Sequence, residues 1–576
     1  MQRDLSALDR DGFDLIVVGA GIFGAAAALD AAQRGLSVAL IERGDFCGAT
    51  SAHSYKMIHG GIRYLQHADI ARIRQSARAR ATFLRTAPHL AHPLPIVVPT
   101  YGWGMKSKPV LRAGMAVYDL LTRDRNRGIP DPKRQIPNAE FLTRDEVIRR
   151  YPDLAREGLT GAGVFCDGQM YNPPRLVLAF VQSAVAAGAV CANHVEAVGL
   201  VQRGGRIEGV TARDRLGGDQ FEVRGRVVLN AAGPYAEGLL AGALGQGLAP
   251  PTPFSRDAFF IVGRTLVDSV HALTVPSLTS DPDAVFSRGA RHLFLVPWRG
   301  VTLVGVWHKV YRGHPDQYEI TEAELEAWIA EINLGYGGLG LTLDDVALAS
   351  AGLVPFGEND PDARHLKYAH RSRVVDHARE RGLEGLLTLV GVRYTTGPTE
   401  AVEVVDLVCR RLKKPTAASR LETTPVHGGG FADFEALVAQ AGREAPDGVA
   451  PASLRAIVHN HGTAYGELLR LLRRQPDWSQ PLGGTPVLGV EVAQAVDHEM
   501  AMTLADVVFR RTDLCTAGHP GEAALRAAAR VMAEGRGWSE ARLESELDDV
   551  RRRLRLARTG RAFLADSPAP VEALVA

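Results

Sequence analysis

Trp307, His308 and Lys309 stand together at the end of the apolar run Leu303-Val304-Gly305-Val306. An indole, an imidazole and an ammonium leaving one strand read as the rim of a pocket. Of the three, the imidazole is the group able to accept a proton near neutral pH. Arg63-Tyr64 and Arg393-Tyr394 place a guanidinium beside a phenol at two further points of the chain. An arginine holds an anion through two parallel hydrogen bonds. The chemistry on offer is therefore anion binding coupled to proton removal. Against it stands the plainer reading in which the three residues only decorate a strand end, with Trp307 packing.

Something must position these groups, and the strongest local pattern lies at the start. Leu15-Ile16-Val17-Val18 reads as a buried parallel strand and runs straight into Gly19-Ala20-Gly21-Ile22-Phe23-Gly24. The Ala-rich residues 25–33 predict a helix, Gly35 a stop, and residues 37–41 a second strand closed by Glu42. Each element of a dinucleotide site is present in order. Gly19 makes the tight turn, Gly21 admits a pyrophosphate, and Gly24 lets helix and strand pack closely. The helix N-terminus offers unpaired N–H groups, and Glu42 accepts from a ribose. The following Gly44-Asp45-Phe46-Cys47-Gly48-Ala49-Thr50-Ser51, rich in hydroxyls and amides, favours FAD over a nicotinamide. Asn230-Ala231-Ala232-Gly233 reads as a strand end closing over the same cofactor.

Ser54-Tyr55-Lys56-Met57-Ile58-His59-Gly60-Gly61-Ile62-Arg63-Tyr64-Leu65 resembles the flavin loop of the FAD-dependent glycerol-3-phosphate dehydrogenases, the SSKLIHGGLRYL type. The resemblance continues at Ala87-Pro88-His89-Leu90, at Cys166-Asp167-Gly168-Gln169 with Arg175, and at Val296-Pro297-Trp298. It returns at Val390-Gly391-Val392-Arg393-Tyr394-Thr395-Thr396 (GGKLTT-like), at Val496-Asp497-His498-Glu499 and at Phe509-Arg510-Arg511-Thr512, and so spans nearly the whole chain.

It implies an α/β fold with an FAD-binding Rossmann-like domain interleaved with an antiparallel-sheet substrate domain over 1–415, then a helical domain over 420–576. Its implied activity is hydride transfer from the secondary alcohol of sn-glycerol 3-phosphate, or a related polyol or polyol phosphate, to flavin, with electrons passing to quinone or oxygen. The implied cofactor set is Gly19, Gly21, Gly24, Glu42, Arg43, Thr50, Ser51, Lys56, His59, Gly60, Gly61, Val195, Ala232, Gly233, Gly391, Val392, Arg393, Tyr394 and Thr395.

The departures cluster where substrate would sit. Val306, Trp307 and His308 replace the residues of a GTTD-like segment, and Val354 replaces the arginine of an SGVRPL-like one. Arg393 replaces a lysine, and Phe259 falls where a GSHIVV-like strand carries its histidine. His308 is the best replacement base and His53 a weaker second; Arg63, Tyr64 and Arg393 face substrate. Two alternatives stay open: oxidation of an amino or hydroxy acid, and an FAD-bound module without catalysis.

The bulk composition limits the partners. With 66 basic against 65 acidic residues and a net charge of +1, the 576-residue chain has no global field for nucleic acid. The five scattered cysteines form no metal pattern, and neither a secretory signal nor a membrane-spanning run is present. The expected setting is the cytoplasm, with peripheral contact to the inner face of the membrane; a homodimer is a further expectation. The stretch 106–134 surrounds apolar residues with Lys106, Lys108, Arg112, Arg123, Arg125 and Arg127, and reads as a surface for anionic lipid or as a solvated helix face. Beyond Pro415 helical periodicity takes over, with Gly428-Gly429-Gly430 as a hinge.

Overall fold

The computed structural model describes residues 1–9, 12–102, 107–248, 253–280, 290–356, 372–516 and 518–558. The Phe13–Val18 strand, apolar apart from Asp14 and buried at every position, sits inside a sheet between Val38–Ile41 and Gln220–Asn230. All three run parallel, with Leu386–Val390 beyond one side and Val190–Ala192 beyond the other; Arg373–Asp376 adds an antiparallel edge. Strands without polar alternation belong inside such a sheet, because helices must cover both faces. The Ala-rich helix Ile22–Gln33 packs beside helices Pro173–Ala186 and Gly397–Leu412. Gly24 permits the approach: a Cβ there would stand 1.9 Å from the Gly19 carbonyl oxygen.

The second sheet has nine strands, with Val346–Pro355, Phe254–Val262, Val301–Tyr311 and Ala290–Trp298 antiparallel in that order. One face, with Phe259, Ile261 and Leu303, turns toward the first domain's loops; the other carries Ala258, Phe260 and Val304 against helix Glu322–Gly335.

Here the strand carrying Trp307 departs from expectation. It does not end there but continues to Tyr311. Register shifts by one residue between Ala258 and Phe259, which pair with Trp307 and Gly305 and leave Val306 as the extra residue. A bulge of this kind reverses the alternation of faces beyond it. Trp307 therefore turns into the core, stacked between Phe260 and Trp328 with its indole N–H donating to Glu331 at 2.8 Å. Lys309 points to solvent beside Glu324. Of the three, His308 alone lines the cavity between the sheets.

From Phe434 onward the chain is helical. The glycine run before it is no hinge. Gly428 and Gly429 are buried, Gly429 donates to Val426 O, and Gly428 O accepts from Thr463 N. The basic surface of 106–134 also shrinks. Arg125 is buried, donating to carbonyls of Ile136 and Pro137, and Arg134 is buried over the Phe434 ring. Lys108 donates to Leu142 O, and Lys106 lies outside the described residues. Arg112, Arg123 and Arg127 stay exposed. Among the described residues no helix is long and apolar enough to cross a membrane.

Candidate active site

A cavity of about 2170 Å³ is lined from both sheets, with Glu42, Glu196, Tyr64 and Arg393 among its walls. Part of the wall is the glycine turn, where Gly21 precedes the helix without a side-chain cap. Glu42 closes the second strand and accepts from Ala20 N at 2.7 Å and Gly44 N at 3.0 Å, so its carboxylate is fixed at the turn. Ser51 Oγ accepts from Ile22 N at 3.1 Å. Arg43 lies over the Tyr235 ring, 3.6 Å from its centroid, and pairs with Asp316.

Of the expected cofactor residues, Gly19, Gly21, Glu42, Arg43, Thr50, Ser51, His59, Gly61, Ala232, Gly233 and Gly391 to Thr395 line the cavity. Gly24, Lys56, Gly60 and Val195 do not line it, each for a structural reason. Gly24 packs on the turn, as above. Val195 is a buried strand residue whose N–H is taken by Glu42 O, leaving Glu196 and Ala197 on the wall. Lys56 is buried, donates to Ala52 O and lies near the Phe259 and Trp298 rings; burial lowers its ammonium to about 8. Gly60 donates to Asp167 Oδ1 at 2.7 Å, and a Cβ there would meet the Arg80 guanidinium at 2.1 Å.

Two imidazoles on the wall have carboxylates behind them. His59 Nδ1 lies 3.0 Å from Asp167, which also accepts from Arg80 at 2.9 Å. Burial pushes the Asp167 carboxyl up, but His59, Arg80 and the Gly60 N–H outweigh it and hold it below the usual range. On the facing sheet, Asp257 Oδ1 lies 2.8 Å from His308 Nδ1 and accepts from Ser255 Oγ at 2.6 Å. A carboxylate at Nδ1 fixes ring orientation and tautomer, so the accepting role falls to Nε2. Asp257 is flanked on its other side by Gly352, which packs on Thr50, just before the flavin loop, 3.1 Å away for a Cβ. His308 thus approaches the cavity from the sheet, beside that loop.

Arg393 and Tyr64 are brought together elsewhere on the wall. The Arg393 guanidinium donates to Tyr64 Oη at 3.0 Å, Ser76 Oγ at 3.3 Å and Gln75 Oε1 at 3.2 Å. All three partners are neutral; among the described residues no carboxylate lies within ion-pair distance of it. Arg63 lines the same cavity, as do Val354 and Pro355. His53, on the wall as well, has Nδ1 2.8 Å from Ser350 Oγ. Asp167, Asp257, Gln75 and Ser76 were not picked out as site residues by sequence reasoning. Asp257 carried one signal: it stands two positions before Phe259 and so shares its face of the strand.

The donor set suits a flavin dinucleotide. The Ser54 and Tyr394 hydroxyls are buried in the wall without a protein partner, and Gly21, with no side chain, lines the cavity at the helix N-terminus. Residues 14–395 match the family of FAD-dependent oxidoreductases, and residues 419–543 match the C-terminal domain of alpha-glycerophosphate oxidase. The fold and the site thus define an FAD-dependent oxidoreductase. A glycerol-3-phosphate dehydrogenase of Synechocystis is 28% identical over 95% of this chain and 97% of its own length. A probable mitochondrial glycerol-3-phosphate dehydrogenase of Caenorhabditis elegans is 30% identical over 94% of this chain and 73% of its own. The chain belongs to the glycerol-3-phosphate dehydrogenase family. It shares its fold with the FAD-complexed enzyme of that name from Bacillus halodurans, at a TM-score of 0.73 and 21% identity over 96% of this chain and 97% of that one.

Proposed function

We propose that this chain oxidises the secondary alcohol of sn-glycerol 3-phosphate, or of a related polyol or polyol phosphate, to the ketone. The names of the relatives support the substrate class. The observation that carries the reading is the Arg393 guanidinium on the cavity wall beside Tyr64, whose hydrogen-bond partners are all neutral, the buried Glu400 acting on it only at longer range. Such a cation suits an anionic group on the substrate, as bidentate arginine does for phosphate. Arg63 joins it, and Val354 adds no charge. Bound FAD supplies the two-electron sink for the carbinol hydride. The hydroxyl proton goes to His308 Nε2, with Asp257 steadying the imidazolium that results. Loss of hydride and proton together leaves the ketone.

The electrons then pass to a quinone or oxygen. Peripheral contact with the inner face of a cytoplasmic membrane fits the exposed Val117 and Leu120 of helix Lys108–Leu121 beside Arg112 and Arg123. Anaerobic mixing with a panel of polyols, polyol phosphates, amino acids and hydroxy acids tests the reading at the flavin absorbance band. Bleaching by glycerol 3-phosphate or a related polyol is expected; bleaching only by amino or hydroxy acids overturns it.

A further inference from the structure

The turn that follows the second strand is gripped from the far end of the chain. Asp45, fully buried, accepts from Arg511 through both oxygens, at 2.6 Å each, from Arg510 Nε at 2.7 Å and from Asn193 Nδ2 at 2.8 Å. Arg511 is itself buried and donates its Nε to Glu499 O at 3.1 Å. Arg510 also donates to Asp506 at 2.9 Å, and Asp506 lies 3.0 Å from His194 Nε2. Asp45, His194 and Asp506 bring ligand atoms within 4.8 Å of one another, as a cation site would. The two guanidinium groups already lie on those carboxylates and account for the cluster.

Asp45 stands inside the cofactor machinery by chain connection. Three residues before it, Glu42 accepts from Ala20 N; two residues after it, Cys47 N donates to Ala20 O at 3.0 Å. Gly44 O accepts from His194 N at 2.7 Å. Residues 42–47 are therefore tied at both ends to the glycine turn and in the middle to the C-terminal domain. Moving Asp45 moves Glu42 and the start of the Gly48–Ser51 wall with it. A fork-to-fork arginine–carboxylate pair fixes geometry as well as charge.

We propose that Arg511, with Arg510, is a positioning residue of the FAD site: the C-terminal domain completes the dinucleotide pocket by clasping Asp45. The proposal rests on the FAD assignment. Full-length protein stripped of flavin and titrated with FAD, followed by quenching of flavin fluorescence, is the test. Arg511→Gln should raise the dissociation constant for FAD by about 10- to 100-fold, the scale on which partners that orient metal ligands act, and Arg511→Lys should fall between. Leu525→Ala, which loosens the same domain's core away from the clasp, should lower the melting temperature yet leave FAD affinity within about twofold of wild type. If Arg511→Gln does not fold, the pair Asp45→Asn with Arg511→Gln removes both charges and leaves less stranded charge; it should fold and bind FAD weakly. Wild-type affinity in the folded Arg511 variants, or an equal loss in Leu525→Ala, overturns the clasp. Wild-type apoprotein that takes up no FAD overturns the cofactor assignment with it.

Discussion

Two sets of histidines divide this molecule. His59 and His308 on the cavity wall each have a carboxylate behind them, and the His59 side chain is 58% exposed. His89, His92, His459 and His461, where the C-terminal helices meet the first domain, are set among arginines and rings. His459 stacks on Tyr171 at 4.0 Å, and His461 accepts from Arg175 at 3.0 Å. Desolvation lowers His89 to about 3 and His92 to about 4, and drives His459 and His461 well below the ordinary imidazole value. For His461 burial and Arg175 outweigh Glu499, 3.7 Å away. One residue type is held against a carboxylate on the cavity wall in the first setting and packed as a neutral ring in the second, and the environment alone separates them.

The largest expected effect tests the first set. His308→Ala should keep FAD bound and slow flavin reduction by about 10²–10⁴-fold, the usual contribution of a positioned base. Stopped-flow absorbance under anaerobic conditions measures it. A wild-type rate would move the proton-accepting role away from the sheet, and His59 with Asp167 would be the next pair to test. Arg393→Ala should act on the same cavity differently. Removing a charged hydrogen-bond partner costs about 1.5–3 kcal/mol, or roughly 10- to 150-fold, and should fall mainly on KM for an anionic substrate. A variant that lost kcat with KM unchanged would remove the anion-clamp reading.

The second set should reveal itself through stability instead. Each imidazole held neutral by burial takes up a proton on unfolding once pH falls below about 6.5, the ordinary value. Between there and the folded values near 4 and 3, the unfolded state binds more protons, so stability falls as pH falls. The slope is up to about 1.4 kcal/mol per pH unit for each such histidine. Above pH 6.5 the term vanishes, because both states are neutral. Melting temperatures at pH 7.5 and 5.5 check this, and His461→Gln should flatten the difference; a pH-independent midpoint would sink it.

How much of this could be read in the sequence follows from contact range. The glycine turn, its strand and Glu42 are legible because they are contiguous, and the flavin loop likewise. The reason for Gly60 is not, since the Arg80 guanidinium that excludes a side chain comes from another helix. Asp45 and Arg511 are 466 residues apart, and nothing in residue spacing pairs them. The interface histidines read like any others until burial is known. The glycine run at 428–430 looks like a hinge by composition, yet crossing backbones fill the space beside it.

Trp307, His308 and Lys309 supply the narrowest version of the comparison, three neighbours sent to three environments by one extra residue in a strand. Trp307 belongs to the core, so Trp307→Phe should lose the indole hydrogen bond to Glu331 and some stacking, costing about 1–3 kcal/mol of stability with little change in flavin reduction. Lys309 is 65% exposed, and its 3.2 Å contact with Glu324 is shared with Arg256, which alone makes a closer pair at 2.7 Å. Exposed pairs contribute about 0–1 kcal/mol. Lys309→Ala should therefore move the melting temperature by no more than a degree or two and leave the reduction rate unchanged. Measured side by side, the three variants should separate into stability alone, rate alone and neither. A Lys309 variant that slowed flavin reduction as much as the His308 one would show that the strand presents both side chains to the cavity, and the bulge would then have to lie elsewhere.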